Sequence, residues 1–445
     1  MLSITKADKL AVQLKEKLQA IAVDALAIQT GFVRRKPRKI TPPEFLLSFF
    51  ITVLTGGHSL AAFAATIGLV HGVRISKQAV DKRIKEPVLK FLEFVLAGTL
   101  SNIIKSQRQP VYSAIFTPFK HILVQDSTHI TLDSKLAEHF PGSRNHTTKP
   151  TAILKIQTVI DLLREQFCHF EITAFTQNDQ KASTLILQIV KRGDLIIRDP
   201  GYFLLDGIKE IQLKRAYFLS RLKYGIALYQ VDGETTFDLL AALQKHGRLD
   251  VEVCLGAKEK LRARLVAIPL PKKVAAERRR KARANRDRRL NPSREHLALL
   301  SWDIFVINVD RTLLTAEQIA EIYDLRWRIE IIFKSWKSHF STTNVPKASA
   351  IRVKSYIYAT LIFITMFQTY FFVRLYHEIY RKNNKQLSLL KLSRFFKDQI
   401  WAMVLFFHTS ANVTIEKVEE QIFYHCVYES RKNRLNYVQQ IVSLG

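Results

Sequence analysis

The sequence predicts an α/β protein with a mixed sheet at its centre and helical regions at both ends. Three observations predict it. β-Branched apolar runs cluster between residues 116 and 205 and return after 300. Helix caps and stops punctuate the chain before and after them. At 445 residues and 47% hydrophobic content, the chain is too long for one core and apolar enough to fold throughout, so several domains are expected.

Residues 1–115 read as a helical N-terminal domain. In "TPPEFLLSFFITVLTGG", Thr41 is an N-cap, Pro42 opens the helix, Glu44 completes a capping box, and Gly56 and Gly57 stop it. Two shorter helices follow, from Ser59 and from Ser76, parted by Gly68 and Gly72. They form either a plain helical hairpin or a helix-turn-helix-like unit showing Lys77, Gln78, Lys82 and Arg83. The preceding basic arm, Arg34 to Lys39, suits phosphates and reads no sequence.

Residues 116–205 change character. "HILVQ" is expected as a strand ending at Asp126. "TAILKIQTVIDL" and "EQFCHFEITAF" read as two more strands, and "KASTLILQIVKRG" as a helix closed by Gly193. "DLIIR" is a short strand ending at Asp199, with Pro200 and Gly201 as stop signals. Each aspartate is either a turn residue or a side chain presented at a sheet edge.

Residues 206–299 read as a β-rich insertion carrying a basic helix. Of the eighteen positions from Lys272 to Arg289, ten are Lys or Arg and two are acidic. The run is either a solvated surface or a nucleic-acid contact. "LSWDIFVINVD" returns to strand and opens a second part of the core, residues 300–345. There Thr315 and Gln318 form a capping box at the head of a long helix or helix pair. Residues 346–445 read as a helical, basic C-terminal domain.

In that helix or pair, Tyr323, Arg326, Glu330, Lys334 and Lys337 fall within an arc of roughly 80° on an ideal helix. Ile322, Leu325, Ile329, Ile332, Phe333 and Trp336 fill the neighbouring apolar arc. The charged arc is either a solvated face with i,i+4 ion pairs, or one carboxylate among cations where a metal and a phosphate meet.

Composition narrows the choice. Sixty-eight basic residues against thirty-nine acidic ones give a net charge of +29, which favours a polyanionic partner, nucleic acid above all. Three scattered cysteines suit a reducing compartment and exclude a disulfide scaffold or a four-cysteine zinc site. Lys6, Asp8, Lys9, Lys15, Glu16 and Lys17 break any apolar core at the N-terminus, so no signal peptide is expected. Ser355–Val373 is uncharged and about long enough to span a bilayer. It also holds Thr360, Thr365, Gln368 and Thr369, and a buried core helix with no membrane is expected. The chain lacks a P-loop, a dinucleotide-binding glycine run and a nucleophile elbow.

Two aspartates after strands and a glutamate on a helix face are enough to hold a pair of Mg²⁺ ions for in-line attack on a phosphodiester. Oxygen ligands suit Mg²⁺, with Mn²⁺ as a substitute. The flanking cations would grip DNA phosphates.

These residues carry a resemblance. Tyr323, Arg326, Glu330 and Lys337 keep the Tyr-x2-Arg-x3-Glu-x6-Lys spacing of the DDE transposases of bacterial insertion sequences, IS-four family. "RWRIE" and "KSWK" look like the family as well. "QDST" resembles its first-aspartate block, "FPGSRNHTTKPTAILKIQTVIDL" the stretch after it, and "GDLIIRDPGYF" its second-aspartate block, with Pro200 where the family usually has Arg. The resemblance covers about residues 116–345. It implies an RNase H-like core with a β-rich insertion. It implies cut-and-paste movement of an insertion sequence by metal-dependent cleavage and strand transfer, through a hairpin intermediate. It implies a homodimer pairing the two element ends on double-stranded DNA, in the bacterial cytoplasm at the nucleoid. Asp126, Asp199 and Glu330 would bind two metal ions. Tyr323, Arg326, Lys334 and Lys337 would contact DNA, and Trp302 matches a tryptophan that stacks on a flipped base. The alternatives are a non-catalytic DNA-binding protein, such as a decayed transposase, and a related RNase H-like nuclease.

Overall fold

The computed structural model describes residues 21–35, 37, 39–105, 114–143, 150–284, 291–400 and 415–428. Lys36 and Arg38 of the basic arm, residues 144–149 and residues 285–289 of the basic run lie outside the described residues.

Helices α1 (Val23–Gln29), α2 (Pro42–Leu54), α3 (Leu60–His71), α4 (Lys77–Arg83) and α5 (Glu86–Lys105) come first. The Thr41 capping box forms, and Ser59 and Ser76 cap α3 and α4. Gly72 closes α3 at φ 68°, a left-handed conformation that glycine adopts without a Cβ clash. On α4, Val80 is buried while Lys77, Gln78 and Lys82 face solvent.

Nine strands form one mixed sheet in the order β3-β2-β1-β4-β5-β9-β8-β7-β6. They are β1 (Ile122–Leu132), β2 (Ala152–Asp161), β3 (Gln166–Ala174), β4 (Leu195–Arg198), β5 (Tyr217–Arg221), β6 (Leu228–Tyr229), β7 (Leu249–Leu255), β8 (Leu261–Pro269) and β9 (Trp302–Ile307). The first five strands stand in the order 3-2-1-4-5. β1–β3 pair antiparallel, and β4 and β5 run parallel to β1, which is the RNase H-like arrangement. β9 pairs antiparallel with both β5 and β8, so the antiparallel strands β6–β8 extend the same sheet.

Alternate residues of the strands serve two cores, as a period of two requires. Val124, Ile197, Leu219, Phe305 and Ile307 belong to one apolar cluster. Leu123, Ile196, Phe218, Val306 and Leu265 belong to the other, beneath α6 (Leu205–Leu213) and α7 (Leu239–His246). The first cluster also takes in the N-terminal helices and the helices after β9. Those are α8 (Ala316–Asp324), α9 (Trp327–His339), α10 (Ala350–Met366), a π-helical stretch Phe367–Phe372, α11 (Val373–Asn383) and α12 (Leu389–Asp398). Phe49 of α2 packs edge-on against Tyr356 of α10 with ring centroids 4.9 Å apart. The continuous helix Ala350–Asn383 is long and apolar enough to cross a membrane, but 83% of its most apolar window is buried within the protein. That is the signature of a core helix, as its threonines and Gln368 suggest.

Two local expectations need correction. β1 does not end at Asp126 but runs on to Leu132. Pairing with β4 stops at Gln125, whereas pairing with β2 continues to the end of the strand. Past Asp126 the strand loses its cover on one face, and burial alternates: Thr128, Ile130 and Leu132 are in, His129 and Thr131 are out. Second, "KASTLILQIVKRG" is not one helix. A single turn ends at Ala182 and a 3₁₀ turn spans Leu185–Gln188. The carbonyls that would continue the helix are taken by side chains: Gln125 donates to Ala182 O at 2.8 Å and Arg198 to Ser183 O at 2.6 Å. Of the long helix or helix pair expected after Thr315, the chain forms the pair, α8 and α9. The i→i+3 bonds from Arg326, Arg328 and Ile329 tighten the backbone between them, so Tyr323 turns inward, 4% exposed.

Candidate active site

Gln125 and Arg198 are partners across the parallel β1–β4 pair. The next residue on each strand is an aspartate, so Asp126 and Asp199 leave the same end of two adjacent strands. Asp126 accepts the Ser127 amide at 2.7 Å. Asp199 accepts the Gly201 amide at 3.0 Å and caps the turn Pro200–Tyr202, where Pro200 fits the first position without strain. Helix α9 packs across β1 and brings Glu330 to the same place. Arg326, at the head of α9, joins the two: its guanidinium stands 2.9 Å from Glu330 Oε1 and 3.4 Å from Asp126 Oδ2.

The electrostatics follow from this crowding. Burial pushes the Asp126 carboxyl up to about 6, and Asp199 and Glu330 add to the rise, against the opposing Ser127 amide and Arg326. Burial pulls the Arg326 guanidinium down, but Tyr323, Asp126, Asp199 and Glu330 outweigh it and keep the group cationic. Among the described residues, no three acidic, histidine or cysteine side chains stand close enough to share an ion as placed, because Arg326 lies between two of the carboxylates. The donor set itself fits a hard divalent cation: three carboxylates in mutual repulsion, one partly desolvated and held by a backbone amide.

Tyr323 is a buried platform rather than part of a solvated face. Its ring packs on Phe305, and the Arg221 and Arg326 guanidiniums lie 5.2 Å and 5.9 Å from its centroid. Burial pushes its phenol up to about 12. Lys334 is exposed, and Lys337, half-buried, sits further along β1 near His129. Trp302 opens β9, and its indole N–H donates to Gly247 O at 2.7 Å, docking the ring against the second core. The next residue, Asp303, pairs with Arg221 at 2.9 Å and with Arg278 of the basic helix at 2.8 Å. Part of that basic run therefore has an internal partner.

Two features escape a reading of the sequence. Trp327, between Arg326 and Arg328, is 61% exposed, an uncommon state for so large an apolar ring. Its flanking charges are the one signal that could have marked it. The other feature is a polar network beneath the aspartates. Asp179 Oδ1 accepts from Gln157 at 2.9 Å, from the largely buried Lys155 ammonium at 3.1 Å and from the Ser127 hydroxyl at 3.2 Å. The Tyr202 phenol donates to Gln157 Oε1 at 2.6 Å. No spacing pattern links these four segments in the sequence.

The chain is similar to known proteins. The family model described as a transposase DDE domain matches residues 117–366. The transposase for insertion sequence element IS231B of Bacillus thuringiensis subsp. berliner is 29% identical over 401 residues, 85% of this chain and 82% of that one. The transposase for element IS1151 of Clostridium perfringens is 26% identical over 414 residues, 86% of this chain and 84% of that one. A cryo-EM structure of the piggyBac transposase synaptic complex with hairpin DNA aligns over 94% of this chain and 84% of that chain, at TM-score 0.45 and 10% identity.

Proposed function

Because this chain belongs to the family of transposases with a DDE domain, we propose that Asp126, Asp199 and Glu330 are its catalytic, metal-binding carboxylates. It is an insertion-sequence transposase, an enzyme that cleaves DNA strands and transfers them. Enzymes of this family use divalent metal ions and act on DNA. Our finer reading is Mg²⁺, with Mn²⁺ as a substitute and two ions per site.

The observation that supports this reading most strongly is the register of β1 and β4, which sets Asp126 and Asp199 side by side, with α9 delivering Glu330 and Arg326 to them. When bound, divalent ions supply Lewis-acid stabilisation of an in-line displacement at phosphorus. The residues of the chain do the rest. Asp126, Asp199 and Glu330 would hold the ions. Arg326 has the planar fork that grips a phosphate through two hydrogen bonds, and Tyr323 keeps it aimed. Lys334 and Lys337 follow the phosphate backbone along α9. Trp302 or the exposed Trp327 would stack on a base drawn out of the helix, as a tightly bent hairpin end requires.

In the same reading, residues 1–115 form the DNA-binding domain, 116–205 and 300–345 the catalytic core, 206–299 the insertion and 346–445 the C-terminal domain. The protein works as a homodimer that pairs two element ends, in the bacterial cytoplasm at the nucleoid. The test is incubation with Mg²⁺ and DNA carrying the two ends that flank its own gene. Cleaved ends, hairpins and joined target products are expected. Cleavage without joining would make it a nuclease, and binding without cleavage a non-catalytic DNA-binding protein.

A further inference from the structure

Asp179 lies in none of the blocks that carry the proposed chemistry, yet two chains of hydrogen bonds lead from it to both aspartates. One arm runs through Ser127. Its hydroxyl donates to Asp179, and its amide donates to Asp126. The other arm runs through Gln157. Its amide nitrogen donates to Asp179, and its oxygen accepts from Tyr202 in the turn that Asp199 caps. A Cβ built on Gly201 would lie 3.4 Å from Asp199 Oδ1 and 3.9 Å from Asp179 Oδ2, so Asp179 also borders that turn directly.

We infer that Asp179 is a positioning residue that fixes the separation and orientation of the Asp126 and Asp199 carboxylates. β1 needs such a device at this point. Its pairing with β4 ends at Gln125 and Arg198, so the aspartates emerge at the last rung of the ladder between the two strands. Beyond that rung the network ties the strands together through side chains. Lys155 neutralises the hub: its ammonium, 9% exposed, donates to Asp179 and to Gln177 O. A charged acceptor with three donors on one oxygen is stiff, and a stiff frame is what a two-carboxylate cation site needs.

This inference rests on the reading of Asp126 and Asp199 as metal ligands, and the experiment separates the two. Mn²⁺ binding to the full-length, DNA-free protein is measured by electron paramagnetic resonance and calorimetry for wild type, Asp126→Ala, Asp179→Ala, Asp179→Asn and Tyr202→Phe. Asp179→Ala should weaken Mn²⁺ binding about tenfold or more, in the range of lost partners behind metal ligands. Asp179→Asn keeps an oxygen acceptor for Ser127 and Gln157 and should recover most of that loss. A purely structural role for Asp179 would lower the melting temperature and leave the affinity of the folded protein unchanged. Should Asp179→Ala fail to fold, Tyr202→Phe decides, since it cuts one arm and leaves the Lys155–Asp179 pair intact. A folded Asp179→Ala, or in its place Tyr202→Phe, that binds Mn²⁺ as wild type does while Asp126→Ala does not would overturn the inference alone. Unchanged binding in Asp126→Ala would overturn the metal-site reading beneath it.

Discussion

The Arg326 guanidinium stands 3.4 Å from the Asp126 carboxylate, although 200 positions separate the two residues in the chain. With Glu330 on its other side, this arginine places a fixed positive charge among groups that a divalent cation would otherwise neutralise.

Arg326→Ala should therefore have opposite effects on binding and catalysis. The DNA-free protein should bind Mn²⁺ more tightly, because a competing cation is gone. Cleavage of a pre-nicked element end should slow, because a phosphate contact is gone. Arg326→Lys should remain slow, since an ammonium cannot form two parallel hydrogen bonds to one phosphate. Titration and single-turnover kinetics on the same preparations check this. Wild-type cleavage in both variants would return the α9 face to a salt-bridged surface.

Asp126→Ala, Asp199→Ala and Glu330→Ala should each abolish cleavage and leave binding to end DNA nearly intact. A gel-shift assay run beside the cleavage assay separates the two outcomes. Wild-type cleavage in any one variant would remove that residue from the site, and wild-type activity in EDTA would exclude the metal mechanism.

Metal affinity should depend on pH. The Asp126 carboxyl, raised to about 6, holds a proton in the folded protein that an ordinary aspartate has lost. Between about pH 4 and 6 the native state binds more protons than the unfolded chain, so this group's contribution to stability falls as pH rises through that window. A metal ion must displace the proton, so apparent Mn²⁺ affinity should drop by up to about tenfold per unit below about pH 6 and level off above it. A flat profile between pH 5 and 7 would contradict the burial of this carboxylate.

The pair Glu165–Arg328 predicts a stability effect. Arg328, 4% exposed, binds both Glu165 oxygens at 3.0 Å and 3.1 Å, and Gln368 of the π-helical stretch reaches the same carboxylate at 3.4 Å. Arg328→Ala leaves a largely buried carboxylate without its guanidinium and should cost about 3–5 kcal/mol. Replacing both partners by apolar residues should cost much less. Chemical denaturation of the two variants distinguishes these outcomes.

The basic helix Lys272–Arg283 should divide its charges between two tasks. Lys272, Lys273, Arg280, Lys281 and Arg283 are exposed, Arg280 and Lys281 beside Glu277, whereas Arg278 and Arg279 are bound to Asp303 and Ser301. Each of Lys272, Lys273 and Arg283 that touches a phosphate should contribute about 0.9 to the slope of log affinity against log salt. Arg278→Ala should lower thermal stability instead. An unchanged slope in the triple neutral variant would make that face a solvated surface.

The α/β class was legible because it rests on local signals. The Thr41 and Thr315 capping boxes, the strand-ending Asp199 and the Arg326–Glu330 pair all involve residues a few positions apart, and the structure contains each of them. What remained hidden is non-local. The continuation of β1 past Asp126 depends on β2, some thirty residues on, and the dissolved helix at 181–193 depends on Gln125 and Arg198. A helical wheel could not reveal the break that buries Tyr323, because it assumes one uninterrupted helix. The Asp179 network joins four segments whose only common property is where the sheet puts them.

β9 is held on both sides, by β5, the last of the five strands in RNase H-like order, and by β8. The residues between β5 and β9 thus lengthen the sheet and are not a graft on a stalk. Residues 222–301 could not be excised and the ends rejoined without stripping one edge of β9, whose bare amides and carbonyls would invite pairing with another chain. Were DNA to bear on the basic helix, the load would pass through the Arg278–Asp303 pair into the strand that leads to α8 and α9, and so toward Glu330 through hydrogen-bonded sheet instead of a hinge.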